Sequence, residues 1–227
     1  GLGTWLALVL KSAFALVGMG AYLRIYFDIP IQPLAIGLTI GFMLINIVGA
    51  KETSGLQRAL VTGLVAIMAF FVVQGLVFVS NDVAASGVAA RERFSPFLAF
   101  GFQGFMATVG FVFVSYAGLT KVASVAEEIR NPDRNIPLGM VLSLATAAFV
   151  YTVGVLIIVA VLPADELRHD LTPVATAAQA FFQWLPGGVG VMLIVAAAIA
   201  AFASTGNAGI LSASRYPLAM ARDRLVS

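Results

Sequence analysis

The residues best equipped for chemistry in this chain are Ser115, Tyr116, Ala117 and Gly118, followed closely by Thr120 and Lys121. They interrupt an apolar stretch, 94–129, in which no proline follows Pro96. As one helix that stretch would be about 54 Å long at ~1.5 Å per residue, well beyond a hydrocarbon core of ~30 Å. The economical reading is a helix broken near 115–118 that resumes toward Glu127, Glu128 and Arg130. A long tilted helix kinked at glycine is the alternative. A break at that depth frees backbone N–H and C=O groups, and it survives only when buried in protein or facing a wet cavity. Breaks of this kind bind small polar solutes in secondary transporters, with half-helix ends lending partial charges. Gly118 tolerates the non-helical dihedrals and the close solute approach that such a site needs.

Two lysines are the other unusual groups. Lys11 falls near the middle of the first apolar segment. Lys121 precedes Arg130 by nine residues, roughly 13 Å of helix. A cation at membrane depth costs several kcal/mol unless it is paired, hydrated or deprotonated, so both are candidates for proton or ion coupling. Snorkelling of the long side chain to the interface is the competing reading. The chain has no cysteine, which excludes disulfides, zinc–thiolate sites and thiol catalysis. Its one histidine, His169, lies in the charged loop 165–170 and reads as solvated. No cluster of His, Asp and Glu, no HExxH and no nucleophile–base pair falls within the apolar segments. No enzyme activity, metal site or cofactor is expected beyond a coupling ion, H+ or Na+.

What must position these residues is a set of membrane helices. Hydrophobic residues make up 60% of the sequence and charged residues 11%, where a soluble domain carries about 25% charged. Mean hydropathy is +0.99. The fold class is therefore all-α and polytopic, one membrane domain over 1–227. Six spans are expected, at about 2–26, 33–49, 59–80, 94–129 (discontinuous near 115–118), 138–162 and 188–212. Connections at 24–32 and 50–58 are short, whereas 81–96 and 163–187 have room for a surface helix. Asn131-Pro132 and Ile136-Pro137 are expected to stop the fourth span and turn the chain, since residues before proline avoid the α region. Gly37 and Gly41 form a small-xxx-small pair, and 196–201 gives the last span a thin alanine face, both read as helix contacts.

Loop cations set the orientation. One face carries Arg24, Arg91, Arg93 and Arg168, and the other carries Lys51, Arg58, Arg130, Arg134, Arg215, Arg222 and Arg224. The positive-inside rule places the second face, with both ends of the sequence, in the cytoplasm. The net charge of +2 suits such loops better than a nucleic-acid surface. The sequence opens inside an apolar run without a visible signal sequence and reads as a fragment of something longer.

Three passages resemble the amino acid–polyamine–organocation family of permeases. FVSYAGLTKVASVAEEIRNPDRNIP at 113–137 is similar to the family's sixth transmembrane helix and the loop after it. STGNAGILSASRYPLAMARD at 204–223 is similar to the eighth helix, and NIVGAKETS at 46–54, more weakly, to the junction of the fourth and fifth. Their order and spacing agree, so the resemblance covers the chain as helices three to eight. It implies a partial LeuT-like fold of two inverted five-helix repeats, with substrate held at the midplane between broken first and sixth helices. The first helix, carrying half of that site, falls outside this stretch.

By that resemblance Ser115, Tyr116, Ala117, Gly118 and Thr120 line the substrate site, with Tyr116 as an aromatic gate or simply a core aromatic. Many relatives carry glutamate where Thr120 stands, so a glutamate-based mechanism does not transfer. Ser204 and Thr205 match the place where sodium-coupled members supply hydroxyl ligands. Such hydroxyls also serve as ordinary interhelical hydrogen bonds. Glu127, Glu128, Arg130, Arg134 and Arg215 would form a cytoplasmic gate or loop network. The resemblance implies secondary active transport of amino acids, or of organic cations such as polyamines, across the plasma membrane by alternating access. A channel or a non-transporting receptor on the same fold is the alternative. The implied partners are a small-molecule substrate, the lipid bilayer and the remaining helices of the same transporter, and no nucleic acid.

The orientation is open to direct measurement in a cysteine-free background. Single cysteines at Asp133 and Ala85 of the full-length protein should label oppositely from intact cells. An impermeant maleimide is expected to reach position 85 and spare position 133, and the reverse pattern would invert the topology.

Overall fold

The computed structural model describes residues 2–48, 54–86, 94–96, 98–116 and 131–222, and every regular element among them is helical. In chain order these are α1 (Leu2–Leu23), α2 (Ile31–Val48), α3 (Ser54–Ser86), α4 (Gly101–Ser115) and α5 (Pro132–Val161). Two short helices follow, α6 (Ala164–Leu167) and α7 (Pro173–Phe181). A 3-10 turn (Pro186–Gly188) then leads into α8 (Val189–Arg222). Four segments are long and apolar enough to cross a membrane: Trp5–Leu23, Val61–Asp82, Pro132–Val161 and Pro186–Ser214. Ile31–Ile47 and Gly101–Phe113 are shorter apolar helices.

The chain forms two compact units, Gly1–Phe70 with His169–Ser227, and Phe71–Arg168. In the first, α1 packs along α8, α2 leans on both, and α7 lies against α8. The run of contacts shows α1 and α8 to be antiparallel. Ser12 faces Gly209, Leu16 faces Gly206, and Gly18 faces Phe202. A Cβ on Gly18 would come within 2.7 Å of the Phe202 ring, and one on Gly206 within 3.0 Å of Leu16 Cδ2. The seam is tightest at Gly209, where a Cβ would collide with the Ser12 side chain, so glycine is needed there. Ser12 can sit in this dry seam because its hydroxyl donates to the Leu8 carbonyl one turn back, at 2.8 Å. The chain then reverses tightly. Arg24 N–H still donates to Gly20 O, but the next turns shorten, and Gly20 lets Ile31 return to within about van der Waals distance.

Several boundaries differ from those read in the sequence. The stretch 131–137 was expected to be a connecting turn, yet α5 begins at Pro132. Asn131 caps it with left-handed backbone (φ 50°), Pro132 supplies the dihedral that a first helical residue needs, and Asp133 complements the helix dipole. The helix continues through Pro137, forgoing one backbone bond near its end rather than stopping. In the fourth apolar stretch the helix proper starts at Gly101, after a turn at Leu98–Phe100, and not at Phe94. The connection at 163–187 holds two short helices, and α7 is no surface helix: Ala175, Ala177, Ala178 and Phe181 are buried. Gly37 and Gly41 carry no helix contact among the described residues, since a Cβ at either would meet nothing within 4 Å. In the first unit the close-approach glycines are instead those of α1 and α8.

The second unit is more open. Gly75 of α3 admits Ile157 of α5, whose Cγ2 would lie 2.6 Å from a Cβ there, and Phe71, Val72, Ala160 and Val161 are buried nearby in sequence. Elsewhere large apolar residues are exposed, among them Phe102, Phe111 and Phe113 of α4 and Val141 and Phe149 of α5. Such faces suit lipid or further helices.

Replacing Gly209 by Leu in the full-length protein should force α1 and α8 apart and cost at least the ~1–3 kcal/mol of an overpacked core. Gly37→Leu should leave stability unchanged. Thermal unfolding in detergent compares the two, and equal effects would contradict the seam.

Candidate functional site

The apolar stretch that carries the candidate site enters it as α4, whose last helical residue is Ser115. Tyr116 lies in a turn, its N–H donating to Phe113 O at 3.1 Å in the short i to i−3 pattern of a closing helix end. Its ring, half-buried, meets the Tyr151 ring of α5 with centroids 5.5 Å apart and planes inclined at 59°. The aromatic pair therefore sits at the last described turn of α4. Ala117, Gly118, Thr120, Lys121, Glu127, Glu128 and Arg130 lie outside the described residues.

The other candidates are distributed. Lys11 is half-buried in the middle of α1, next to Ser12 of the glycine seam. Ser204 and Thr205 are half-buried in α8, between Phe202 and Gly206, which both meet α1. By helical spacing Thr205 shares the stripe of Phe202 and Gly209, while Ser204 turns away from it, so the two hydroxyls do not face one point. Arg134 is exposed in the first turn of α5, and its N–H donates to Asn131 O at 3.2 Å. Arg215 lies within α8, two residues before Pro217. Lys11, Ser204, Thr205 and Arg215 thus belong to the first unit, and Ser115, Tyr116 and Arg134 to the second. Among the described residues no three of His, Cys, Asp and Glu are placed to hold a metal ion.

Two polar residues inside the apolar helices were quoted in the sequence motifs without being given a role. Asn46 of α2 donates from Nδ2 to Asn207 Oδ1 of α8 at 2.7 Å, and also to Phe42 O at 2.8 Å. The bond joins residues 161 apart in sequence and ties α2 to the helix that already packs on α1. An asparagine in a span is itself the signal that would have found it, since hydrocarbon gives its amide no partner. Its partner could not be read from sequence, because α2 and α8 meet only through the tertiary fold.

The whole chain, residues 1–227, matches the amino acid permease family. Among similar proteins is a cationic amino acid transporter 3, mitochondrial, of Arabidopsis thaliana, 31% identical over 88% of this chain and 31% of that protein. A cationic amino acid transporter 2, vacuolar, of the same plant is 32% identical over 88% of this chain and 30% of its own length. A methylthioribose transporter of Bacillus subtilis is 28% identical over 78% of this chain and 35% of its own. The chain therefore spans about a third of the length of these three relatives.

An interhelical hydrogen bond between side chains in a membrane is worth from about 0.6 to 2 kcal/mol. In a double-mutant cycle on the full-length protein, Asn46→Leu and Asn207→Leu should each lower thermal stability and show a coupling energy in that range. Strict additivity of the two would mean that the bond contributes nothing.

Proposed function

Because the chain belongs to the amino acid permease family, we propose that the full-length protein is a secondary transporter that moves an amino acid, or an organic cation such as a polyamine, by alternating access. The observation that supports this most is the end of α4 at Ser115, with Tyr116 in a turn where small and polar residues interrupt an apolar stretch. A polar helix end at that depth needs a partner, and a zwitterionic substrate supplies both an ammonium and a carboxylate to it. In this reading Ser115, Tyr116, Ala117, Gly118 and Thr120 contact substrate, and Gly118 gives backbone access. Helices three to eight of an inverted-repeat fold are present, crossing six times, with the 131–135 end of α5 and both ends of this stretch in the cytoplasm of a plasma-membrane protein. Glu127, Glu128, Arg130, Arg134 and Arg215 gate that face.

The substrate is not carried over from the relatives. Two are described as cationic amino acid transporters and one as a methylthioribose transporter, so the family accommodates more than one solute class. Coupling falls to a proton exchanged at Lys121, with Lys11 as the companion group, or to Na+ near Ser204 and Thr205.

Proteoliposomes holding the full-length protein test the whole reading. Preloaded amino acid should drive counterflow of labelled amino acid, which a channel or a receptor does not support. Gly118→Leu should abolish counterflow while the protein still folds and inserts, because leucine fills the place where backbone meets substrate. Lys121→Met should flatten the pH dependence of uptake while exchange survives. Unchanged affinity in the Gly118 variant would move the substrate elsewhere. Unchanged pH profiles in both Lys121→Met and Lys11→Met would leave sodium coupling or pure exchange.

A further inference from the structure

Tyr151 stands in α5, which runs from Pro132 to Val161, and no motif drew attention to it. At ~1.5 Å per residue it lies roughly 7 Å from the helix midpoint, against a hydrocarbon half-thickness of about 15 Å. Tyrosines of an interfacial belt sit nearer the helix ends, where the hydroxyl reaches water. Tyr151 is 46% exposed, and among the described residues its hydroxyl has no hydrogen-bond partner. The contact it does make is aromatic. Its ring meets that of Tyr116, centroids 5.5 Å apart and planes inclined at 59°, within the range that favours aromatic pairs.

Tyr116 is the partner that needs holding. It follows the last described turn of α4, its N–H donating to Phe113 O at 3.1 Å. Phe111 and Phe113, the aromatics just before it, are each 77% exposed, whereas Tyr116 is half-buried. A ring in a turn has several rotamers open to it, and the surface it packs against selects one. Among the described residues Tyr151 is the aromatic surface that meets it, and both belong to one compact unit. We infer that Tyr151 is a positioning residue, whose ring holds Tyr116 in the orientation that meets substrate. This role rests on the reading of 115–120 as substrate contacts. It belongs to the ring and not to the hydroxyl, since the hydroxyl bonds to none of the described residues.

Counterflow into proteoliposomes holding the full-length protein tests it, with labelled L-arginine, L-alanine and L-glutamate as probes. For whichever probe exchanges, Tyr151→Leu should raise the half-saturating concentration about three- to tenfold, the weight of one aromatic pair, at an unchanged maximal rate. Tyr151→Phe keeps the ring and should restore the wild-type value. Tyr116→Leu should weaken half-saturation too, and adding Tyr151→Leu to it should weaken it no further, because the second ring acts only through the first. Full additivity overturns the inference, and so does a Phe variant as weak as the Leu variant. A lower maximal rate at unchanged half-saturation marks a merely structural pair and overturns it as well. Should the Leu variant fail to fold, a fluorotyrosine placed at position 116 alone decides the question by NMR. A ring held by Tyr151 gives one resonance that saturating substrate shifts, and several exchanging resonances, or one that substrate leaves unmoved, overturn the role. The two readings fail differently. Exchange that Tyr116→Leu weakens and Tyr151→Leu does not sinks this role alone, whereas exchange of none of the three probes sinks amino acid transport and this role with it.

Discussion

The fold rests on the close antiparallel approach of α1 and α8. In water, two apolar helices associate because association removes apolar surface from solvent. In a bilayer that drive is absent, since lipid tails are as apolar as the helices. What remains is packing density and hydrogen bonding, and both depend on how near two backbones can come. Gly18 opposite Phe202, Leu16 opposite Gly206 and Ser12 opposite Gly209 alternate large against small along the seam. Every other element of the first unit is placed relative to it: α2 by the turn after Gly20 and by the Asn46–Asn207 bond, α7 by its buried alanine face, and α3 by Phe70 stacked on Phe182 at 5.0 Å.

The second unit follows a different economy. Its helices touch through a narrow point at Gly75 and Ile157, and through aromatic contacts such as Tyr116 with Tyr151 and Arg168 over Phe100. Most of α4 and α5 remains exposed apolar surface. A helix whose side chains are mostly unburied owes its persistence to hydrocarbon, where breaking a backbone bond is far more expensive than in water. Among the described residues α4 runs to Ser115, and Tyr116 follows it in a turn.

Composition made the polytopic helical class legible, and each long apolar helix overlaps a segment read from hydropathy, though α3, α5 and α8 run well past the ends read for them. Physical reasons account for the misses. Prolines 132 and 137 read as breakers, but the first turn of a helix has no backbone partner for its N–H groups, so Pro132 belongs there and Pro137 costs one bond. Gly37 and Gly41 have the spacing of a contact pair and make none among the described residues, because spacing reports only that a helix could be approached. The glycines that are approached, Gly206 and Gly209, sit in a stretch noted for its hydroxyls. Of the candidate site, Ser115 and Tyr116 lie among the described residues, and Ala117, Gly118, Thr120 and Lys121 lie outside them. The pairing of Tyr116 with Tyr151 joins two helices and leaves no mark in either one's sequence.

Polar groups in a chain this apolar differ chiefly in whether the fold answers them. Ser12, Thr39, Thr108 and Thr146 donate to carbonyls one turn back on their own helices, so they are self-contained and need no neighbour. Asn46 has an amide too polar for that solution alone, and a second span completes it through Asn207. Asp170 is answered on one oxygen only. A group satisfied within its helix sets nothing beyond local backbone geometry. A group satisfied across helices sets their register, as asparagine does in other helical assemblies. A charge left half satisfied fits neither of these roles, and its desolvation is a cost that the described helices do not offset.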